Sequence, residues 1–137
     1  MHNIWIADDD EAIRMVLEEG LKSSELAITT FANGESLIEA LNEDQPDLII
    51  SDIKMPGIHG YDLLKHIKNN YEKIPVIIMT AFTDMQAAID AYGGGAFEYI
   101  PKPFDLSEAL QIVNRALEEN KSPAQKKISK SEIIGSA

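Results

Sequence analysis

In the stretch Leu48-Ile49-Ile50-Ser51-Asp52-Ile53-Lys54-Met55-Pro56-Gly57, a short apolar run ends in one carboxylate and a Pro-Gly pair follows almost at once. Leu48, Ile49 and Ile50 have the continuous apolar character of a strand covered on both faces, as in a parallel sheet. Pro56-Gly57 suits a turn, because proline presets φ at its second position and glycine tolerates positive φ at the third. Asp52 therefore stands where a strand stops and a loop begins. In open parallel sheets, ligands bind at the carboxyl ends of strands, so Asp52 is a candidate reactive group. Taken alone, an aspartate there is more often a turn former.

Outward from this stretch, apolar strands and amphipathic helices alternate along the whole chain. Ile4-Trp5-Ile6-Ala7 is a brief strand stopped by Asp8-Asp9-Asp10-Glu11, and Ile13, Val16, Leu17 and Leu21 then recur at helical spacing. Leu26–Phe31 reads as a second strand, and Asn33-Gly34 turns into a helix with Leu37, Ile38 and Leu41. Beyond the Asp52 strand, Leu63, Leu64 and Ile67 mark a third helix. Val76-Ile77-Ile78-Met79 is the fourth strand, with Thr80 to Asp84 as loop. A fourth helix carries Met85, Ala88, Ile89 and Tyr92, and Gly93-Gly94-Gly95 stops it. Phe97 to Ile100 is the fifth strand, Pro101-Lys102-Pro103 a forced loop, and a fifth helix runs from about Asp105 to Asn120. Five strand-helix repeats with short connections predict an α/β sandwich, a five-stranded parallel sheet with helices on both faces. Right-handed crossovers leave few topologies. The common five-strand order is 2-1-3-4-5, whose switch point lies between the first and third strands.

The 137 residues suffice for one ordinary domain with a proper core. There is no cysteine, which excludes disulfides and thiolate metal sites. No apolar run approaches the ~18 residues of a membrane span, and no basic-then-apolar signal opens the chain. The expectation is a soluble cytoplasmic protein without membrane contact. Residues 1–120 carry 22 acidic against 8 basic side chains. Such a surface repels a nucleic-acid backbone, so direct nucleic-acid binding is not expected of it. After Asn120 the apolar period ends. Residues 121–137 read as a linker, its four lysines a solvated face, and Ile133-Ile134-Gly135-Ser136-Ala137 as the start of a following unit.

Four of the five strands end in residues able to do chemistry: Asp8-Asp9, Asp52, Thr80 and Lys102. The order 2-1-3-4-5 makes the first and third strands neighbours, so Asp8, Asp9 and Asp52 converge, with Thr80 and Lys102 across the crevice. Two carboxylates about 4 Å apart repel by roughly 4 kcal/mol at an effective dielectric near 20. Three protonate, splay apart or recruit a cation. The donors are all oxygens, with no histidine or cysteine in the same loops, which fits Mg²⁺ best. Mg²⁺, a carboxylate, a hydroxyl and a lysine describe a phosphoryl-acceptor site in which Asp52 attacks phosphorus and becomes an aspartyl phosphate. Singly, each residue has a plainer reading. Asp10 and Glu11 suit the N-cap and first turn of a helix, Asp8 a turn, Thr80 a helix cap and Lys102 a solvated surface. Their coincidence at strand ends is what those readings leave unexplained. His2, His59 and His66 are scattered and receive no role. Trp5, Met79 and Phe97 read as core, and Gly93-Gly94-Gly95 lacks the Lys-Ser/Thr of a P-loop.

Residues 3–120 closely resemble the receiver domain of two-component response regulators. The resemblance rests on Asp8-Asp9-Asp10, on Ser51-Asp52-Ile53-Lys54-Met55-Pro56-Gly57, on Met79-Thr80-Ala81 and on Tyr99-Ile100-Pro101-Lys102-Pro103-Phe104. It implies a flavodoxin-like fold and a phosphoacceptor switch rather than an enzyme, assisting only its own phosphoryl transfer and slow dephosphorylation. Asp52 would take the phosphoryl group from a sensor histidine kinase. Asp9, Asp52 and the Lys54 carbonyl would hold Mg²⁺ directly, and Asp8 through water. Thr80 would be the switch hydroxyl, Tyr99 its aromatic partner and Lys102 a phosphoryl contact, with a cis bond to Pro103. The motifs around Asp52 and Thr80, with Gly95-Ala96-Phe97-Glu98-Tyr99, look like those of NtrC-type activators. That implies a receiver at 1–120, then a linker and the first residues of an AAA+ ATPase at 121–137. In that family the ATPase acts on sigma-N RNA polymerase, and a DNA-binding helix-turn-helix follows it. The resemblance also implies a switching face made of the fourth helix, fifth strand and fifth helix, through which a homodimer could form.

Three rivals stand against this reading. A haloacid-dehalogenase-like phosphatase also uses aspartate and Mg²⁺, but it wants Asp-x-Asp after the first strand and a cap over its substrate. A flavodoxin-like FMN carrier needs a phosphate-cradling loop where this chain has three aspartates. A phosphate-independent interaction module makes no use of Asp52.

Overall fold

The computed structural model describes residues 1–81, 86, 89, 90 and 93–119. The linker and Ile133-Ile134-Gly135 lie outside these residues, as do Met85, Ala88 and Tyr92 of the fourth helix read from the sequence. Strand β1 (His2–Ala7) shows how the core is divided. Its side chains alternate across the sheet. Ile4 and Ile6 join one apolar layer, Trp5 and Ala7 the other. Strands β2 (Leu26–Phe31), β3 (Leu48–Asp52), β4 (Val76–Ala81) and β5 (Glu98–Lys102) pair with it in parallel, in the order β2-β1-β3-β4-β5. The predicted class and order are both found.

Among the described residues, helices α1 (Glu11–Leu21) and α4 (Leu106–Glu119) cover one face with Leu17, Leu21, Ala109 and Val113. Helices α2 (Gly34–Leu41) and α3 (Gly60–Asn70) cover the other with Leu37, Leu41, Leu63, Leu64 and Ile67. β3 is buried along its whole length, as its unbroken apolar run requires. No described helix is long and apolar enough to cross a membrane.

Local chemistry starts the helices. Asp10 caps α1, its carboxylate accepting from the Ala12 N–H at 2.9 Å and the Ile13 N–H at 3.4 Å. Asn33 caps α2 through the Ser36 N–H at 2.8 Å. Three expectations change. Val16 is 47% exposed, because Ile13, Leu17 and Leu21 form an i, i+4 row and Val16 lies about 100° round the helix from Leu17. Thr80 and Ala81 continue β4 instead of opening a loop, because they pair with Pro101 and Lys102 of a correspondingly extended β5. Pro101 and Lys102, expected in a forced loop, instead close β5, an edge strand, where proline is best tolerated.

Two glycines have opposite surroundings. The Gly60 N–H donates to the Ile53 carbonyl at 2.9 Å, and a Cβ on Gly60 would lie 2.7 Å from the Ile53 Cα. Gly93 has nothing within 4 Å of its Cβ position. Gly60→Ala is expected to lower stability by about 2 kcal/mol through this backbone collision. Gly93→Ala, in a helical residue, is expected to raise it by about 0.5–1 kcal/mol. Urea denaturation midpoints check both signs.

Candidate functional site

Register carries the acidic side chains to one place. Ala7 pairs with Ser51, so Asp8 and Asp52 are the next residues on adjacent strands. Asp52 in turn pairs with Met79, which sets Thr80 one step further along β4. Carboxylate oxygens of Asp8, Asp9 and Asp52 all lie within 4.8 Å of one another. Asp8 and Thr80 are fully buried and Asp52 is 8% exposed, whereas Asp9 faces solvent. Lys102, at the end of β5, reaches across β4 to this cluster. Its Nζ lies 3.1 Å from Asp8 Oδ2 and 3.3 Å from Asp52 Oδ2. The Lys102–Pro103 peptide is cis.

Each group is held by named partners. Asp8 Oδ1 accepts from the Asp10 N–H at 2.9 Å, so the turn role and the site role coincide in one side chain. The backbone N–H of Lys54 donates to the Asp52 carboxylate, while the Lys54 side chain is exposed. Ser51 Oγ donates to the Asp52 carbonyl at 2.9 Å. Thr80 Oγ1 donates to the Ala81 carbonyl at 3.2 Å. Tyr99 stands apart from the cluster, opposite Ile78 in the sheet and half-buried against the layer under α2 and α3. Arg14 was not singled out from the sequence, yet its Nη1 donates to the Asp8 carbonyl at 2.7 Å. Its only signal was position, a cation one turn into the helix that follows the acidic run.

Burial raises the Asp52 pKa above the ordinary carboxylate value. The charge of Asp8 adds to that rise, and Lys102 with the Lys54 amide offsets part of it. Burial pulls the Lys102 ammonium down, but Asp52 and Asp8 together outweigh it, and its pKa is raised. Three carboxylates facing one ammonium leave an acidic centre of oxygen donors, which suits a hard divalent cation.

A buried strand-end aspartate beside an acidic pair, with a lysine reaching in from a cis-proline turn, defines a class. Residues 4–114 match the response regulator receiver domain family, and the chain belongs to that family of signalling switches. It is 47% identical over 139 residues to the DNA-binding transcriptional regulator NtrC of Escherichia coli (strain K12), covering 98% of this chain and 30% of that protein. The solution structure of the apo receiver domain of nitrogen regulatory protein C is 50% identical. It superposes with a TM-score of 0.77, covering 85% of this chain and 94% of that one. The crystal structure of NtrX from Brucella abortus in complex with ADP is 28% identical with a TM-score of 0.84, over 93% of this chain and 29% of that one. The receiver is of NtrC type, and the chain spans under a third of the length of such curated relatives.

The raised pKa of Asp52 has a consequence for stability. Between the ordinary carboxylate value and the raised one, the folded protein binds more protons than the unfolded chain. Ionised Asp52 therefore costs stability above its folded pKa, and that cost fades as pH falls through it. Without divalent cations, Asp52→Asn is expected to raise stability at pH 7 by about 1 kcal/mol. The gain shrinks toward acid pH, as chemical denaturation across a pH series would record.

Proposed function

We propose that Asp52 is the phosphoacceptor of this receiver, taking its phosphoryl group from a phosphohistidine on a sensor histidine kinase. The observation that carries this reading is the Lys102 ammonium lying within 3.3 Å of both the Asp52 and Asp8 carboxylates at the strand ends. An Asp52 carboxylate oxygen attacks phosphorus, the new P–O bond forms, and the P–N bond breaks with its electron pair leaving on the imidazole. Lys102 turns from its carboxylate partners toward the incoming phosphoryl oxygens. Thr80, at the end of the adjacent strand, offers them its hydroxyl.

Asp9, Asp52 and the Lys54 carbonyl are the residues that would hold Mg²⁺, with Asp8 acting through water. The all-oxygen donor set and the 4.8 Å spread of the three carboxylates fit such an ion. When bound, Mg²⁺ supplies positive charge that offsets the phosphoryl oxygens.

In the phosphorylated state the Thr80 hydroxyl moves inward and Tyr99 fills the space it leaves. The face formed by the fourth helix read from the sequence, the fifth strand β5 and the fifth helix, α4 here, then changes its preference for partners, a second copy of the chain among them. This requires two states within a few kcal/mol of each other, so that one covalent group inverts their populations. The receiver comprises residues 1–120, with 121–137 a linker and the first residues of an AAA+ ATPase that activates transcription in the cytoplasm. The greater length of the NtrC relative and the ADP bound by NtrX support that assignment. DNA contact would fall to a later domain, away from this acidic one.

The test is intact mass after incubation with acetyl phosphate and Mg²⁺. A single phosphoryl adduct is expected, absent without Mg²⁺ and absent in Asp52→Asn. Failure of both acetyl phosphate and a phosphorylated kinase domain to modify the folded protein would overturn the reading. Thr80→Ala is expected to accept the group yet show smaller phosphorylation-induced NMR shifts at Tyr99 than wild type.

A further inference from the structure

The loop between β3 and α3 carries Lys54 past Asp52 and is fixed at its ends by its own neighbourhood. The Ile53 N–H donates to the Met79 carbonyl at 2.9 Å, the Gly60 N–H donates to the Ile53 carbonyl at 2.9 Å, and Met55 is buried in the core. Between these anchors Lys54, Pro56 and Gly57 face solvent. There the loop is met by the first turn of α2. Glu35 Oε2 accepts from the Ile58 N–H at 3.0 Å, across 23 residues of sequence. Gly57, at φ +81°, leaves the room for this approach. A Cβ on Gly57 would fall 3.0 Å from Glu35 Oε1. The Ile58 side chain in turn lies over Gly34, its Cβ 3.7 Å from where a Gly34 Cβ would stand. Glu35 is itself placed favourably, since a carboxylate in the first turn complements the helix dipole.

We infer that Glu35 is a positioning residue, clasping the loop so that the Lys54 carbonyl is held at the metal site. The inference rests on the reading that Lys54 is a Mg²⁺ ligand. Glu35 is not in the acidic cluster, and its effect travels through Ile58 and the loop backbone. Outer groups that orient ligands are worth about 10–100-fold in metal affinity, and a clasp on an exposed loop belongs at the low end.

Three forms of the whole chain decide the question: wild type, Glu35→Ala and Glu35→Gln. Mg²⁺ is titrated against the fluorescence of Trp5, which lies on β1 three residues before Asp8, and hydrogen exchange is followed at the Ile58 amide. Glu35→Ala is expected to weaken Mg²⁺ about tenfold and to speed Ile58 exchange roughly tenfold, with the urea midpoint lowered only slightly by loss of the bond to Ile58 and the helix-dipole contact. Glu35→Gln keeps an acceptor oxygen without the charge, and it is expected within about twofold of wild type on both readouts. Equal Mg²⁺ affinity in Glu35→Ala and wild type overturns the inference. So does a Glu35→Gln that protects Ile58 yet binds Mg²⁺ as weakly as Glu35→Ala, because charge rather than position would then be responsible. A wild type that binds no Mg²⁺ fails in a different way, removing the metal reading and this inference with it.

Discussion

The ammonium of Lys102 reaches from β5 to two carboxylates at the ends of strands it does not pair with, and the charge balance of those strand ends depends on this contact. Asp8 and Asp52 sit on neighbouring strands, both buried, with their charges unable to relax into water. Two such carboxylates repel by several kcal/mol at protein-like dielectric. One cation shared between them offsets much of that cost, and it does so from a side chain that is itself partly exposed. The fold therefore holds one ammonium within reach of both acids at the strand ends.

Such a contact needs a rigid frame, and the sheet supplies it. Its apolar layers on both faces fix the strands, and the register leaves the ends of β1, β3 and β4 level with one another. Gly60 lets α3 begin against the backbone of Asp52 and Ile53. Helix and Asp52 are thereby coupled sterically. The polar site is the edge of the same core that stabilises the domain, so its geometry is set by packing rather than by the site residues alone.

Much of this was legible in the sequence. Apolar runs without alternation marked covered parallel strands, and that architecture places every strand end on one rim. Convergence of Asp8, Asp9, Asp52 and Lys102 follows from topology, which also sets Thr80 at the end of the adjacent strand. Asp10 could be read as a cap because capping is local. What stayed hidden depends on side-chain reach between distant segments. The Arg14 bond to the Asp8 carbonyl and the Glu35 clasp on Ile58 leave no periodic trace. Strand ends were misplaced for a related reason. Pairing of Thr80 with Pro101 and of Ala81 with Lys102 extends both strands through proline, alanine and lysine, which strands are depleted in.

Charge counting shows why a cation belongs in the proposed chemistry. Three carboxylates against one ammonium leave two negative charges uncompensated at the rim. Phosphorylation converts one carboxylate into a group carrying about −1.5 to −2 charges, making the deficit worse. Lys102 alone cannot neutralise the product, since it already serves two acids. A hard divalent ion held by Asp9 and Asp52 would supply charge of the sign this rim lacks. The same arithmetic favours a response at Thr80. A neutral hydroxyl donor on the adjacent strand can answer the new oxygens without adding to the charge, and the β4–β5 edge on which it sits is where Tyr99 is packed.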